Sequence, residues 1–256
     1  MASYPFTSAL LTGASSGIGE AMARELGRAG IPQVVVARRA DRLEQLAATF
    51  ADVEVLIADL TTPDGVAAVE ARLVDPRRPV DLVVNNAGFG TSGTFVELDA
   101  DRLDEEVRLN VGALTRLSRV ALGVMVPRQR GYLLNVSSLV SFQPGPRLAV
   151  YAATKAYVTS LSESLHEEVR GTGVKVTALC PGLTRTEFQQ VSSSTKMTDR
   201  APSWAWQSAE EVAATALRDM ANGRALSIPG PLNRSMATAS GMTPRGLLRR
   251  MSGMLR

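Results

Sequence analysis

The sequence predicts an α/β protein with one doubly wound parallel sheet that carries helices on both faces. Short runs rich in valine, leucine and isoleucine alternate along the chain with longer amphipathic segments. The length of 256 residues and the hydrophobic content of 45% allow one sizeable core. Internal repeats, low-complexity tracts and composition breaks are absent from the sequence, so we expect a single domain over 1–256.

The predicted strands, in chain order, lie at 7–12, 33–37, 53–57, 80–85, 131–137, 174–180 and, as a short last strand, near 225–228. The predicted helices lie between them, near 17–30, 41–50, 64–74, 101–126, 150–170 and 208–222. This alternation implies parallel strands connected through helices. Ligands bind such sheets at the carboxyl ends of the strands, and the polar motifs of this chain follow its predicted strands.

A glycine-rich turn follows the first predicted strand and contains Gly13, Gly17 and Gly19. Glycine lets the backbone approach a pyrophosphate, and the start of the next helix supplies free N–H groups and a positive dipole end. The spacing G-x-x-x-G-x-G differs from the common dinucleotide pattern G-x-G-x-x-G. The turn therefore fits a dinucleotide site, although alone it also fits a tight strand-to-helix connection.

Arg38 and Arg39 follow the second predicted strand. A protein that binds NAD would place an acidic residue here to accept hydrogen bonds from the ribose 2′-hydroxyl. Two guanidinium groups favour a 2′-phosphate instead, through charge-assisted and often bidentate hydrogen bonds. The pair predicts NADP(H), and the alternative interpretation is a solvated helix start.

Tyr151 and Lys155 lie four residues apart in a predicted helix, and Ser138 ends the apolar run before it. Side chains at this spacing share one helix face. A phenol ionises at roughly 10, but a neighbouring ammonium group favours the phenolate and lowers that pKa. The serine hydroxyl can hydrogen-bond a carbonyl or alcohol oxygen, so the set suits carbonyl reduction.

Together these motifs resemble the classical short-chain dehydrogenase/reductase family over nearly the whole chain. The motifs are T-G-A-S-S-G-I-G at 12–19, Asp59-Leu60, N-N-A-G at 85–88, Asn110, Ser138, Tyr151-x-x-x-Lys155 and P-G-L-T-R-T at 181–186. The resemblance implies a Rossmann-type fold. It also implies an NADP(H)-dependent oxidoreductase that moves a hydride between the nicotinamide and a carbonyl or secondary alcohol.

The resemblance also implies roles for individual residues. Tyr151 is the expected acid/base, Lys155 lowers its pKa and holds the nicotinamide ribose, Ser138 orients the carbonyl, and Asn110 anchors a water in the proton relay. Asp59 is expected at the adenine, and Pro181, Gly182 and Thr186 at the nicotinamide. The complete set of expected cofactor contacts is Gly13, Ser15, Ser16, Gly17, Ile18, Gly19, Arg38, Arg39, Asp59, Leu60, Asn86, Ala87, Gly88, Tyr151, Lys155, Pro181, Gly182 and Thr186.

A less regular segment at 183–206 is expected to form a substrate lid. It carries Phe188, Met197, Trp204 and Trp206. Apolar and aromatic residues in a lid indicate a hydrophobic substrate such as a ketone, a 3-oxoacyl compound or a steroid-like molecule. Alternatively, the tryptophans pack the lid against the body of the protein.

The region from about 231 to 256 forms a basic extension. The last 36 residues contain six arginines and no acidic residue, whereas the preceding 220 contain 22 basic and 25 acidic residues. Near the end, Leu247, Leu248, Met251, Met254 and Leu255 are predicted to form an apolar helix face. That helix could pack on protein, which its shortness and Gly253 favour, or make peripheral contact with an anionic membrane. Nucleic acid is not an expected partner, because no aromatic stacking platform accompanies the arginines.

Composition and motif counts complete the expectations. Cys180 is the single cysteine and His166 the single histidine, so neither a disulfide framework nor a metal site is expected. Neither a signal-like start nor an apolar run of membrane-spanning length is present in the sequence, and we expect a cytoplasmic protein. The long predicted helices at 101–126 and 150–170 resemble faces that pair subunits in the family, which predicts a homodimer or homotetramer.

Two other functions fit parts of the sequence. A non-catalytic sensor of NADP(H) would need the glycine turn and the arginines but no proton donor. A serine hydrolase would use G-A-S-S-G at 13–17 as a G-x-S-x-G nucleophile turn and His166 as its base. His166, however, falls inside a helical pattern, and the hydrolase would leave Tyr151, Lys155 and Ser138 without a role.

Overall fold

The structure is a computed structural model that describes residues 4–192 and 202–253. Seven strands form one parallel sheet in the order β3-β2-β1-β4-β5-β6-β9, and β7 pairs with β8 in a separate short ribbon. The strands are β1 Ala9–Thr12, β2 Gln33–Ala37, β3 Val53–Ile57, β4 Leu82–Asn85, β5 Gly131–Val136, β6 Val174–Leu179, β7 Thr184–Arg185, β8 Gln207–Ser208 and β9 Leu226–Ser227. The predicted α/β fold with a doubly wound parallel sheet is confirmed.

The helices lie on both faces of this sheet. They are α1 Gly17–Arg28, α2 Ala40–Ala47, α3 Pro63–Val74, α4 Ala100–Val107, α5 Leu114–Met125, α6 Ala149–Glu168, α7 Phe188–Val191, α8 Ala209–Ala221, α9 Pro231–Met242 and α10 Arg245–Gly253. Short 3₁₀ turns occupy Phe95–Glu97, Leu139–Phe142 and Ser203–Ala205.

Alternation along the strands divides the core between the two faces. Leu11 of β1 and Val35 of β2 face one side, which α1, α2 and α8 cover. Leu10 and Val34 precede them on the same strands and face the other side, which α3, α5 and the end of α6 cover. Because consecutive side chains of a strand point to opposite faces, a strand buried on both faces is apolar at most of its positions. This explains the continuous valine and leucine runs that predicted the strands.

The strand order reverses between β1 and β4. Leu11 of β1 is in register with Val84 of β4 and, on its other side, with Val35 of β2. The crossovers that leave β1 and β4 diverge from this point, which opens a cleft at the carboxyl ends of the strands. The polar motifs predicted from the sequence follow these strands.

The predicted single helix at 101–126 is interrupted. α4 and α5 are joined by a π-helical segment, Arg108–Ala113, which contains Asn110. A π-helical turn inserts one residue per turn relative to an α-helix and often marks a functional position. Hydrophobic periodicity does not detect it because the flanking apolar pattern continues on both sides.

The C-terminal region contains two helices instead of the one predicted. α9 is rich in small and polar residues, so its sequence carries little amphipathic signal. In α10, Leu248 is buried as expected, whereas Leu247 and Met251 are exposed by 51% and 53%. The inward side is completed by Ser252, so the predicted apolar face is only partly used; Met254 and Leu255 lie outside the described residues. Within the described ranges, no helix has the length and apolar character needed to cross a bilayer.

Candidate active site

The glycine turn packs against the loop after β4. Gly13 has φ +67°, and a Cβ atom there would lie 2.7 Å from Nδ2 of Asn86 and 2.8 Å from Cα of Ala87. Only glycine provides both the left-handed conformation and the space. The turn leads into α1, whose first residue is Gly17, so the free N–H groups of that helix face the cleft.

Asn86 connects the two sides of the cleft. Its side-chain amide donates to the carbonyls of Thr12 and Gly13 at 3.0 and 3.1 Å, and its backbone N–H donates to the Thr12 hydroxyl at 3.0 Å. The backbone N–H of Ala87 donates to the same hydroxyl at 3.0 Å. The end of β1 and the end of β4 are therefore held in one rigid unit.

Tyr151 and Lys155 project from the first turns of α6 toward Ser138, which follows β5. The Ser138 hydroxyl hydrogen-bonds the Tyr151 side chain. The Nζ atom of Lys155 lies 5.7 Å from the centre of the Tyr151 ring and donates to the carbonyl of Val136 at 2.8 Å. The three side chains that sequence reasoning selected are therefore brought together at the carboxyl end of β5.

Burial dominates the electrostatics of this group. It raises the pKa of Tyr151 above its ordinary value, and the Ser138 hydrogen bond opposes that shift. Burial lowers the pKa of Lys155 to about 8, while the negative charge of Glu106 opposes that change. Loss of solvation is the largest of these effects, and the expected lowering of the Tyr151 pKa by Lys155 stays a prediction.

Asn110 lies in the π-helical segment, behind Tyr151, Ser138 and Lys155. It is almost fully buried, and its Nδ2 donates to the carbonyl of Phe89 at 2.8 Å and to the Thr154 hydroxyl at 3.2 Å. Its Oδ1 accepts from the N–H of Phe89 at 3.2 Å. The side chain thus holds the loop after β4 against α6, and its predicted contact with a relay water stays a prediction.

Glu106 is a buried acid that sequence reasoning missed. It is fully inaccessible to solvent, and its Oε2 accepts a 2.6 Å hydrogen bond from the Thr91 hydroxyl. Within the described part of the chain, Oε1 has no hydrogen-bond partner. Burial raises the pKa of this carboxyl, although its hydrogen bonds to Thr91 and the charge of Lys155 oppose the shift. In the sequence, Glu106 is an acid four positions before Asn110. Nothing in the sequence distinguishes it from the exposed acids around it.

Arginines gather where β2 ends. Arg38 lies 3.6 Å from a carboxylate oxygen of Asp59. Arg39 donates to the hydroxyls of Ser15 and Ser16 at 3.0 and 2.8 Å. Arg42 of α2, which the sequence analysis did not select, donates to the Ser15 carbonyl at 3.4 Å. A cluster of guanidinium groups therefore borders the glycine turn.

Asp59 lies after β3 at the same edge. Its Oδ1 accepts from the N–H and the hydroxyl of Thr61 at 2.9 and 2.8 Å. Burial would raise the pKa of Asp59, but these bonds and the Arg38 charge outweigh it, and the pKa is lowered. Asp59 is therefore ionised at neutral pH and shapes the wall beside Leu60.

A cavity of about 550 Å³ runs from Arg38 and Arg39 to Tyr151. Most predicted site residues line it, and the two that do not are Gly19, which lies within α1, and Asn110, which lies behind the wall. The lining near Tyr151 is apolar and includes residues that the sequence analysis did not select, namely Phe89, Leu109, Leu139, Val140, Leu148 and Val191. These residues come from five separate segments, so only the folded chain reveals them as one surface.

The predicted lid contributes Phe188 to the cavity. The Phe188 ring lies 5.2 Å from the Tyr151 ring, centre to centre. Neither tryptophan lines the cavity: Trp204 is 73% exposed, and Arg185 lies over the Trp206 ring at 5.7 Å. Met197 lies outside the described residues.

The remaining candidates have structural surroundings. Cys180 is buried beside Thr159, and burial raises the pKa of its thiol to about 11. Nδ1 of His166 pairs with the Val176 carbonyl at 2.8 Å, and Ser15 is bonded to Arg39, so the two residues of the hydrolase alternative have other partners. Among residues 4–192 and 202–253, no group of three potential metal ligands occurs.

Comparison with known proteins agrees with this geometry. Residues 7–197 match the model of the family described as short chain dehydrogenase. The chain belongs to this family. It is also 38% identical over 193 residues to an oxidoreductase of Myxococcus xanthus, covering 73% of this chain and 76% of the relative. The family predicted from the sequence is confirmed.

Solved structures of two dehydrogenases have the same fold. A short-chain dehydrogenase from Sphingobium yanoikuyae in complex with NADPH superposes with a TM-score of 0.82 and 36% identity, covering 94% of this chain and 95% of that one. The bulky-bulky ketone specific alcohol dehydrogenase from Comamonas testosteroni superposes with a TM-score of 0.77 and 31% identity, covering 93% and 95%. The likeness therefore extends beyond the matched family region into the C-terminal helices.

Proposed function

We propose that this oxidoreductase uses NADP(H) to interconvert a hydrophobic ketone and its secondary alcohol. The observation that carries the proposal is one cavity with a guanidinium cluster at one end and Tyr151, Ser138 and Lys155 at the other. A dinucleotide with a 2′-phosphate has an anion at one end, which suits the guanidinium cluster, and a nicotinamide at the other, which suits the Tyr151 end. The NADPH complex of the Sphingobium yanoikuyae relative supports the same cofactor.

The residues present fit such a cofactor. A pyrophosphate would be held by the N–H groups at the start of α1, and the glycine turn leaves a close approach that any side chain at Gly13 would fill. Arg38 and Arg39 would hold the 2′-phosphate, and Lys155 the nicotinamide ribose. When bound, the nicotinamide supplies the hydride.

The side chains of this chain complete the reaction. Ser138 hydrogen-bonds the substrate oxygen and places it beside Tyr151, whose raised pKa keeps the phenol protonated. As negative charge develops on that oxygen, Tyr151 donates its proton, and Ser138 stabilises the charge. Donors aimed at such an oxygen change rates by roughly 10²–10³. Alcohol oxidation follows the same steps in reverse.

The apolar walls favour a bulky hydrophobic substrate. Phe188 and Val191 of the lid segment line the same cavity as Leu139, Val140 and Leu148, and the Phe188 ring lies 5.2 Å from the Tyr151 ring. The likeness to the Comamonas testosteroni enzyme, which acts on bulky-bulky ketones, supports this class. A 3-oxoacyl or steroid-like ketone has the same combination of one carbonyl and a large apolar body.

The test is a panel of ketones followed by the near-ultraviolet absorbance of the reduced nicotinamide. We expect consumption of NADPH with bulky aromatic, steroid or 3-oxoacyl ketones and slower consumption of NADH. Tyr151→Phe should lose turnover and retain NADPH binding. If the wild-type chain binds NADPH and reduces nothing in the panel, the sensor alternative gains support. If Tyr151→Phe retains turnover, the proposed mechanism is wrong.

We further propose that the protein is a cytoplasmic homodimer or homotetramer. α6 and the α4–α5 region present Tyr157 and Val107, which are 40% and 42% exposed. The Tyr157 hydroxyl pairs with the Thr115 hydroxyl at 3.0 Å, so the two elements form a continuous surface. Light scattering that gives a monomer mass at working concentrations would contradict the oligomer.

A further inference from the structure

The carboxylate of Glu187 bridges two arginines at the end of the cleft where β2 finishes. Its Oε2 accepts from Nη1 of Arg39 at 2.9 Å, and its Oε1 accepts from Nη1 of Arg42 at 2.7 Å. Arg39 also donates to the hydroxyls of Ser15 and Ser16. An anion is therefore already held beside the glycine turn by two guanidinium groups.

This anion comes from a distant part of the chain. Glu187 follows β7 and immediately precedes α7, and it is separated from Arg39 by 148 positions and from Arg42 by 145. Its contacts are not part of the local β2–α2 connection. They attach the lid segment to the nucleotide side of the cleft, and both arginines lower the pKa of this carboxyl and keep it ionised.

We propose that Glu187 competes with the cofactor 2′-phosphate for Arg39 and Arg42, and that binding of NADP(H) displaces its carboxylate. Carboxylate and phosphate oxygens accept the same charge-assisted hydrogen bonds from guanidinium. In this fold the ribose 2′ position lies beside the residues that follow β2. This inference rests on the proposed preference for NADP(H).

Charge determines which anion prevails. A phosphate monoester carries roughly −1.5 to −2 near neutral pH, whereas Glu187 carries a single negative charge. The side chains of the Glu187 ion pairs are about 40% exposed, and ion pairs this exposed are weak because water and salt screen them. A 2′-phosphate therefore displaces the carboxylate, but part of its binding free energy is used to do so. NADH has no 2′-phosphate and leaves Glu187 in place.

The exchange also affects the substrate side of the cleft. Phe188 follows Glu187 directly, and its ring lies 5.2 Å from the Tyr151 ring, centre to centre, at an interplanar angle of 46°. Release of the Glu187 carboxylate removes the attachment that keeps this segment against the arginines. Glu187 is thus a specificity-determining residue that connects recognition of the 2′-phosphate with the position of Phe188 beside Tyr151.

The experiment measures dissociation constants of NADPH and NADH for the wild type and Glu187→Gln. With two proteins and two cofactors the four values form a thermodynamic cycle for the carboxylate and the phosphate. We expect Glu187→Gln to bind NADPH about 5-fold more tightly and NADH within about 2-fold of the wild type. Asp41→Asn is the matched control, because it removes a carboxylate that acts on Arg42 only at longer range.

Three results would overturn the inference. They are unchanged or weaker NADPH binding by Glu187→Gln, an equal gain for NADH, and an equal selective gain in Asp41→Asn. Glu187→Ala should reproduce the sign, and thermal unfolding of both variants establishes that they are folded. Failure of the wild type to prefer NADPH over NADH would instead contradict the proposed cofactor, and the wild-type values alone show that outcome.

Discussion

The hydroxyl of Thr91 donates a 2.6 Å hydrogen bond to the fully buried carboxyl of Glu106, one helical turn before Asn110. Only one of the two carboxyl oxygens has a partner in the described part of the chain. The pKa of Glu106 is raised chiefly by burial, so the folded protein holds this proton to a higher pH than the unfolded chain does.

The raised pKa of Glu106 makes the stability of the folded protein depend on pH. A folded-state pKa above the unfolded value stabilises the protein fully below the unfolded pKa, and the contribution is lost as pH rises through the folded pKa. Glu106→Gln keeps a neutral polar group and should therefore raise the melting temperature at about pH 8 but not at about pH 4. Each kcal/mol corresponds to about 2–4 °C for a domain of this size. Glu105→Gln changes a half-buried neighbour that pairs with Arg102 and should show no such pH dependence.

The pKa of Lys155 sets the expected alkaline limit of carbonyl reduction. Burial lowers the pKa of its ammonium group to about 8, so the positive charge beside Tyr151 is lost above that pH. We expect kcat/KM for reduction to fall about tenfold per pH unit well above pH 8. Stability from this group rises over the same range, because the unfolded chain still holds the proton that the folded protein has lost.

The measurement is a pH profile of kcat/KM with a parallel thermal unfolding series. Lys155→Arg should retain its charge and lack the decline near pH 8, at a lower absolute rate. A wild-type profile that stays flat to about pH 10 would exclude Lys155 as the titrating group.

Removal of the Asn110 side chain should lower the free energy of unfolding. Asn110→Ala would leave the N–H and carbonyl of Phe89 without their partner beside the cavity. Buried groups that lose a partner cost about 1–3 kcal/mol, so we expect that decrease in the free energy of unfolding together with weaker NADPH binding. Urea unfolding and cofactor titration measure both. Arg108→Ala, two positions earlier on the exposed side, should be nearly neutral, and a neutral Asn110→Ala would contradict the assigned role.

Alanine substitutions at Gly13 and Gly30 can distinguish the cost of backbone strain from the cost of crowding. Both have positive φ, +67° and +71°, but a Cβ at Gly13 would lie 2.7 Å from Asn86, whereas none of the described atoms lies within 4 Å of one at Gly30. Gly30→Ala should cost about 1 kcal/mol for its backbone alone. Gly13→Ala should cost more and reduce NADPH affinity by at least about tenfold, because the new methyl fills the pyrophosphate approach. Equal effects in unfolding and binding measurements would show that crowding at Gly13 is unimportant.

Sequence reasoning located the parts of this site that local motifs encode. Tyr151, Lys155 and Ser138 were predicted because helix spacing and strand ends determine their positions. Glu106 and Arg42 were missed because charged residues on amphipathic helices are ordinarily exposed, and only the packing distinguishes them. The π-helical segment at Asn110 was missed because it leaves the apolar period almost unchanged, and α9 because its small residues have little periodicity.

The hydrogen bonds from Asn86 to Thr12 and Gly13 join positions more than 70 residues apart. A chain in which β1 and β4 have not yet paired has neither side of the cleft in position. Such long-range pairing carries a large loop-closure entropy and comes late in folding compared with local helix formation. The cleft can therefore bind a nucleotide only after the sheet has formed. During refolding, the recovery of cofactor fluorescence should lag behind the recovery of helical circular dichroism.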